Sequence, residues 1–282
     1  MSGRRRRVGT WALVATVWIA TACEAASAPP SRVGSATPQP ATPSASVSSL
    51  PALTIVALGD SDTTGSGDPT GVGWVGYYAA SLQQSLDEQT EVTNLAVEGK
   101  TSDELLSELQ SDPTTKQSVT HADIVLIGIG GADLNAGDAN LQAGTCKGEA
   151  CYVPVLRAFG RNFDAIVARV KTLSDTPTVI RAITLPNALP GAESVIPRFV
   201  TPEIALYQAV TETRIICEAM DKYEGRCVDV LHAFNGPRGN ENAYETGLMN
   251  LQDCCYASAK GQRLIARLLE ETGLQPIEPS ST

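Results

Sequence analysis

Short apolar runs that alternate with helical patterns limit most strongly how this chain can fold. Five runs have the character of buried strands, and amphipathic segments of helical period lie between them. This alternation predicts an α/β fold in which helices cover both faces of a parallel sheet. The predicted strands are residues 53–58, 92–97, 123–129, 178–185 and 227–231, and the predicted helices are residues 74–86, one that begins at Thr101, 155–173, 202–223 and 259–271.

The segment before the first strand predicts export. Residues 1–23 combine a basic stretch, Arg4 to Arg7, with a short apolar run that ends at Thr21-Ala22-Cys23. This pattern is typical of a bacterial lipoprotein signal peptide, in which Cys23 is lipidated and becomes the new N-terminus. Cleavage and release without a lipid remain the alternative, because residues 20–22 also fit a small-x-small site. We expect an extracellular protein that is anchored at the cell surface through Cys23.

The rest of the chain divides into three parts. Residues 24–51 are dominated by Ala, Ser, Pro and Thr, so we expect a disordered tether. Residues 52–275 should form one globular domain, since a 43% apolar composition over 282 residues supplies one buried core. Residues 276–282 are interpreted as a C-terminal tail.

The charge balance restricts the partners. The formal net charge is -10, from 21 basic and 31 acidic residues, and four of the basic residues lie in the expected signal peptide. A chain this acidic disfavours nucleic acid and anionic lipid surfaces. We therefore expect no nucleic-acid partner, contact with a membrane only through the N-terminal lipid, and a monomer.

The cysteines beyond Cys23 are even in number, which predicts disulfides in an exported protein. They are Cys146, Cys151, Cys217, Cys227, Cys254 and Cys255. The first two enclose a short loop and are expected to pair with each other. The other four could pair in order along the chain, which makes the last bridge a vicinal one, or crosswise. Two histidines and no pair of Cys-x-x-Cys motifs argue against a metal site.

A turn that suits a nucleophile follows the first predicted strand. The tripeptide Gly59-Asp60-Ser61 puts a serine at the carboxyl end of that strand, where a backbone N–H can point at the carbonyl that the hydroxyl attacks. Parallel sheets bind their ligands at this edge. Gly99 and Asp253 also follow strands or lie in the loops beyond them, so we expect them at the same edge.

At these positions the chain resembles the SGNH (GDSL-type) hydrolase family, whose blocks occur here in the family's order between about residues 53 and 273. The first block, Gly59-Asp60-Ser61, matches in full, and residues 94–99 are similar to the second block. The third block, Gly-x-Asn-Asp in the family, reads Gly-Gly-Ala132-Asp133. The fifth block, Asp-x-x-His-Pro-x-x-x-Gly, begins at Asp253 and has Tyr256 at the position of the histidine.

The resemblance implies a single three-layer flavodoxin-like domain with a five-stranded parallel sheet between helices. It implies Ser61 as the nucleophile, the N–H groups of Ser61 and Gly99 as an oxyanion hole, and Asp253 as the acid that orients the base. Ala132 stands at the position of the oxyanion-hole asparagine, and Tyr256 at that of the catalytic histidine. No cofactor is implied.

The two replacements remove groups on which the family's chemistry depends. Alanine donates no side-chain hydrogen bond, and loss of one oxyanion donor typically costs about 10²–10³ in rate. A phenol with an ordinary pKa of about 10 is a poor base at neutral pH, and loss of the base costs roughly 10⁶ where a triad acts as a unit. His232 follows the fifth predicted strand and is a conceivable substitute, whereas His121 should lie at the opposite edge. A boundary residue without a catalytic role is the better interpretation of both.

Two functions of different class follow from these residues. The first is an exported serine ester hydrolase, esterase-like or lipase-like, which acts on a small-molecule ester or on an acylated glycan or lipid and whose activity Tyr256 impairs. The alternative is an inactive pseudoenzyme that binds a carbohydrate or acyl ligand in the same crevice, where Tyr256 could stack on a sugar ring. An acyltransferase on the same fold would use the same residues as the hydrolase.

Overall fold

The computed structural model describes residues 52–277. The predictions for the signal peptide, the lipidation of Cys23, the tether and the last five residues of the tail concern residues outside this range. Among the described residues, none of the helices combines the length and the apolar character that a membrane span requires.

The core of the domain is a parallel sheet of five strands in the order β2-β1-β3-β4-β5. The fold class predicted from sequence, a flavodoxin-like α/β domain, is therefore confirmed. The strands are β1 (Leu53–Gly59), β2 (Thr90–Asn94), β3 (Ile124–Gly128), β4 (Val179–Ile183) and β5 (Arg226–Val228). A separate short hairpin is formed by β6 (Met249–Asn250) and β7 (Tyr256–Ala257).

Nine α-helices connect and cover these strands within the described part of the chain. They are α1 (Ser61–Thr64), α2 (Gly73–Leu86), α3 (Ser102–Ser111), α4 (Pro113–Thr120), α5 (Asn135–Gln142), α6 (Val153–Leu173), α7 (Pro202–Lys222), α8 (Val230–Asn235) and α9 (Ala259–Glu271). The capping box expected at Thr101 and Glu104 is present at the start of α3, because the two side chains satisfy N–H groups that the first helical turn leaves free.

Two apolar clusters hold the layers together, one on each face of the sheet. Successive residues of β1 point to opposite faces, so Ile55 joins the cluster beneath α2 and α9, whereas Val56 joins the one beneath α3, α6 and α7. Strands β1, β3 and β4 are buried almost throughout, as the apolar runs predicted for the centre of a parallel sheet.

Two predicted strands differ from the observed ones for local reasons. The run at 92–97 is a strand only at Thr90–Asn94, because the Asn94 side chain accepts the N–H of Ala96 and turns the chain. The run at 227–231 ends as a strand at Val228, because Asp229 caps α8 by accepting the N–H of His232 at 3.0 Å.

The cysteine sulfurs lie in pairs that follow the chain order, one of the two arrangements that the sequence left open. The pairs are Cys146–Cys151, Cys217–Cys227 and Cys254–Cys255. The second pair links α7 to β5, and the vicinal pair lies in the connection between β6 and β7, beside Tyr256.

Candidate active site

The turn that carries Ser61 is held by the side chain before it. Asp60 is buried, with its Oδ1 accepting the N–H of Asp62 at 3.3 Å and its Oδ2 accepting the N–H of Gly130 at 3.2 Å. Asp60 thus caps α1 and ties it to the loop after β3. As a result Ser61 is the first residue of a short helix at the carboxyl end of β1, where the sequence predicted a nucleophile.

The loop that carries Gly99 is fixed against the same turn. The Asn94 side chain donates to the carbonyl of Thr63 at 2.8 Å, and the N–H of Val97 donates to the carbonyl of Gly59 at 3.0 Å. Gly99 has a φ of 75°, a conformation that favours glycine. Among the described residues, the N–H groups of Ser61 and Gly99 find no acceptor.

Ser61, Gly99, Ala132 and Tyr256 line one cavity of ≈ 480 Å³ at the carboxyl edge of the sheet. Part of its lining is apolar and comes from α7 and from the proline-punctuated loop after β4, with the side chains of Leu185, Leu189, Ile196, Val200, Ala205 and Ala209. A volume of about 300–1,000 Å³ is usual for small-molecule sites. The lining combines Ser61 with apolar side chains that can contact hydrocarbon.

Contacts between the loop after α1 and β7 bring Tyr256 to this cavity. Gln262 is fully buried on α9, and its Nε2 donates to the carbonyls of Ser66 at 3.1 Å and Ala257 at 3.3 Å. Gly67 packs so closely that a Cβ there would lie 2.5 Å from the Cβ of Tyr256. The backbone at Tyr256 is therefore positioned by packing between segments far apart in sequence.

Unlike Ser61, Gly99 and Tyr256, Asp253 is not among the residues that line the cavity. It occupies the connection between β6 and β7, where its N–H donates to Asn250 Oδ1 at 3.4 Å and its carbonyl accepts the N–H of Tyr256 at 3.2 Å. Its side chain is exposed and does not line the cavity. The role of orienting acid stays a prediction from the family resemblance.

Neither histidine of the chain lines the cavity. His232 is exposed on α8, with its Nδ1 2.6 Å from Asp229 Oδ2. His121 ends α4 before β3, at the opposite edge of the sheet. Around Ser61, the described residues thus offer no imidazole to accept the serine proton.

Carboxyl groups dominate the charge of the cavity. Its wall includes Asp62, Glu98, Asp138 and Glu212 but no lysine or arginine among the described residues. Asp60 and Asp62 lie close enough for the charge of Asp60 to affect the pKa of Asp62. Burial raises the pKa of Asp60 to about 6, against the hydrogen bonds from backbone N–H groups that lower it. Burial, with the charge of Asp60, raises the pKa of Asp62 to about 8. The described lining therefore has no basic side chain that could pair with an anion.

These raised pKa values predict that the protein loses stability as the pH rises. The native state keeps protons on Asp60 and Asp62 that the unfolded chain releases near its ordinary carboxyl pKa of 3.8. Stability falls wherever the native state binds more protons, here between about pH 4 and pH 8. We expect Asp62→Asn to remove on the order of 2 kcal/mol of this fall, as measured by urea unfolding across the pH range.

The control for that experiment is Asp87→Asn. Asp87 is exposed at the end of α2 with a φ of 54°, which asparagine tolerates. Its replacement should leave the pH dependence of the wild type intact. An unchanged slope in Asp62→Asn would contradict the proton balance described above.

Sequence reasoning missed Gln208 and Glu212, two buried polar residues of α7 that line the cavity. They are four residues apart and therefore share a helix face. A signal was present, since both fall on the face that also carries Ala205, Ala209 and Ile216, where a helix that covers a sheet is normally apolar.

Comparisons with known proteins agree with this architecture. One curated relative, the uncharacterized protein YpmR of Bacillus subtilis, is 43% identical over 83 residues, which are 29% of this chain and about a third (32%) of the relative's length. The lipase Lip_vut3 from a goat rumen metagenome has 20% identity and a TM-score of 0.67, and the alignment covers 80% of this chain and 100% of that one.

A variant of Axe2, an acetyl xylan esterase from Geobacillus stearothermophilus, has 19% identity and a TM-score of 0.54, with coverage of 80% and 96% of the two chains. At such identities the two solved structures support the fold. The family model described as GDSL-like Lipase/Acylhydrolase matches residues 57–264, which include Ser61, Gly99, Ala132 and Tyr256. The resemblance inferred from the sequence blocks is thus confirmed: this chain belongs to the GDSL-like lipase/acylhydrolase family.

Proposed function

We propose that this protein is a serine ester hydrolase that binds an ester in the ≈ 480 Å³ cavity and attacks its carbonyl carbon with Ser61. One observation carries the proposal. The Ser61 side chain lies on the same cavity as Gly99, and the N–H groups of both residues have no acceptor among the described residues. Two free donors beside a nucleophile can stabilise the negative oxygen of a tetrahedral intermediate.

The proposed reaction proceeds in two steps. The Ser61 oxygen forms a bond to the carbonyl carbon, the C=O π bond breaks so that its oxygen becomes negative between the two N–H groups, and the serine proton passes to water. Collapse of this intermediate re-forms the C=O bond and breaks the ester C–O bond; the departing alkoxide takes a proton from water and leaves as the alcohol, and the acyl group stays on Ser61. Water then attacks the acyl-enzyme and releases the acid.

The missing base should make this turnover slow. Without an imidazole in the cavity the proton of Ser61 lacks the acceptor that the family's histidine supplies. We place the protein at the low end of activity for its family. The alternative function, a pseudoenzyme that holds a carbohydrate or acyl ligand without turnover, is favoured by Tyr256 and Ala132 at the two replaced positions.

The proposed substrate class follows from the lining of the cavity. The apolar side chains from α7 and the loop after β4 suit the hydrocarbon of an acyl group, and the lining has no described lysine or arginine to pair with an anionic alcohol. We propose a neutral acyl ester, either a small molecule or an acylated glycan or lipid. With the export and the Cys23 anchor proposed from sequence, such an ester would be met outside the cell.

A fluorophosphonate probe tests the proposed nucleophile. It should phosphonylate Ser61 in the folded protein, slowly because no histidine assists, and mass spectrometry of the modified peptide should locate the label. Ser61→Ala should give no label at this peptide. Labelling of the folded wild type that does not exceed that of heat-denatured protein would reject Ser61 as a nucleophile and leave the binding function as the better one.

A further inference from the structure

Glu212 is a buried acid that the proposed reaction does not use. It lies on α7 and lines the cavity, yet its side chain is only 2% exposed. Its Oε1 has no hydrogen-bond partner among the described residues. A buried polar atom without a partner is rare in folded proteins and is often explained by function.

The surroundings of Glu212 favour the neutral form of its carboxyl. Burial raises the pKa of Glu212 well above its usual value, and the nearby carboxyl groups of Asp60, Asp133 and Asp62, in this order, raise it further. A neutral carboxylic acid carries an O–H that can donate a hydrogen bond, whereas a carboxylate only accepts. Glu212 is therefore a potential hydrogen-bond donor in the lining of the cavity.

The position of Glu212 is next to the replaced family residue. A Cβ on Gly130 would collide with Glu212 Oε1 and would lie 3.0 Å from its Cδ, so the carboxyl rests directly on the backbone of Gly130. Gly130 begins the block Gly-Gly-Ala132-Asp133, in which Ala132 stands where the family has its asparagine donor. Glu212 and Ala132 line the cavity together with Ser61 and Gly99.

We propose that Glu212, as a neutral acid, supplies the side-chain hydrogen bond to the ligand's carbonyl oxygen that Ala132 cannot supply. This inference rests on the proposed function, because it assigns a third donor to the same oxyanion site. An acid that its environment keeps protonated can donate to a developing oxyanion. In this proposal the side-chain donor comes from helix α7, whereas the family's asparagine donor comes from the loop after β3. Both positions line the same cavity.

The test uses phenylboronic acid, which mimics the tetrahedral intermediate without requiring turnover. The Ser61 oxygen donates an electron pair to boron, its proton is released to solvent, and one boron hydroxyl takes the place of the oxyanion. Boron NMR reports the change from trigonal to tetrahedral boron, and titration gives the affinity. Glu212→Gln keeps a donor of similar shape, whereas Glu212→Met keeps the length and removes the donor.

We expect Glu212→Gln to bind phenylboronic acid within about threefold of the wild type and Glu212→Met to bind it roughly tenfold or more weakly, in line with the loss of one oxyanion donor. Both variants should stay folded, as judged by their melting temperatures. Unchanged binding in Glu212→Met, or an equal loss in both variants, would overturn the inference, because neither result depends on a donor.

Two further measurements distinguish a failure of the inference about Glu212 from a failure of the proposed function. A wild type that forms no adduct would contradict the Ser61 site itself, and the inference would fall with it. An adduct that survives in Glu212→Met would overturn only the role of Glu212. Infrared difference spectra at neutral pH should show a protonated carboxyl band that Glu212→Gln lacks, and its absence from the wild type would overturn the inference in every case.

Discussion

Tyr256→His should raise ester hydrolysis by roughly 10²- to 10⁴-fold, the usual contribution of a positioned general base. The side chain at position 256 already lines the cavity of Ser61, and Gln262 and Gly67 hold its backbone in place. An imidazole there is neutral at physiological pH and can accept the serine proton, which a phenol cannot. The measurement is kcat/KM on p-nitrophenyl esters of increasing acyl length.

The matched control is Tyr256→Phe, which removes the phenol oxygen without adding a base and should leave hydrolysis at the wild-type level. Adding Ser61→Ala to Tyr256→His should abolish the gain, since the new base would have no nucleophile to assist. If Tyr256→His is folded but no more active than Tyr256→Phe, position 256 does not reach Ser61 in a productive geometry. Asp253 would then be a further position to examine, because its side chain is exposed and does not line the cavity.

Gly59→Ala should destabilise the domain by roughly 3–5 kcal/mol, from steric overlap and backbone strain together. Gly59 has a φ of 152°, and a Cβ there would collide with the carbonyl of Gly128 and lie 2.6 Å from Thr63 Oγ1. The same carbonyl accepts the hydroxyl of Thr63 at 2.7 Å, so no space can be made without breaking the turn. Urea unfolding measures the loss, and fluorophosphonate labelling of Ser61 should fall with it.

The variant Gly71→Ala separates the effect of steric overlap from that of backbone strain. Gly71 has a φ of 70° but open space around its α-carbon, so a methyl group there meets only backbone strain of roughly 1–2 kcal/mol. We expect Gly59→Ala to cost clearly more than Gly71→Ala. Equal losses would show that the close approach of β1 and β3 at this point can relax, contrary to the rigid turn described above.

Much of the fold was predictable because its determinants are local. The strands at the centre of the sheet are continuous apolar runs, and the start of α3 is marked by Thr101 and Glu104 three residues apart. The predictions failed where a side chain redirects the backbone. Asn94 and Asp229 each end a strand by hydrogen bonding to the chain just beyond it, an effect that apolar patterning does not contain.

The site was predictable only in part. Ser61 and Gly99 could be placed at the carboxyl edge because every parallel strand ends there. Glu212 could not, because it comes from a helix about 150 residues later in the chain, and its approach to Gly130 depends on how α7 packs across the sheet. The pairing of six cysteines was open for the same reason, since spacing along the chain does not define distance in space.

The sequence by itself determined the α/β architecture and the turn that carries Ser61, because each depends on residue type and short-range order. That Ala132 and Tyr256 replace the family's asparagine and histidine is implied by the resemblance of the sequence blocks. Tertiary structure alone decided that Tyr256 lines the cavity, that Asp253 stays exposed and that a buried acid stands beside Ala132. The physical reason is that burial and proximity arise when distant segments pack together. The raised pKa of Glu212, which follows mainly from burial, is therefore a property of the folded domain and not of the residue alone.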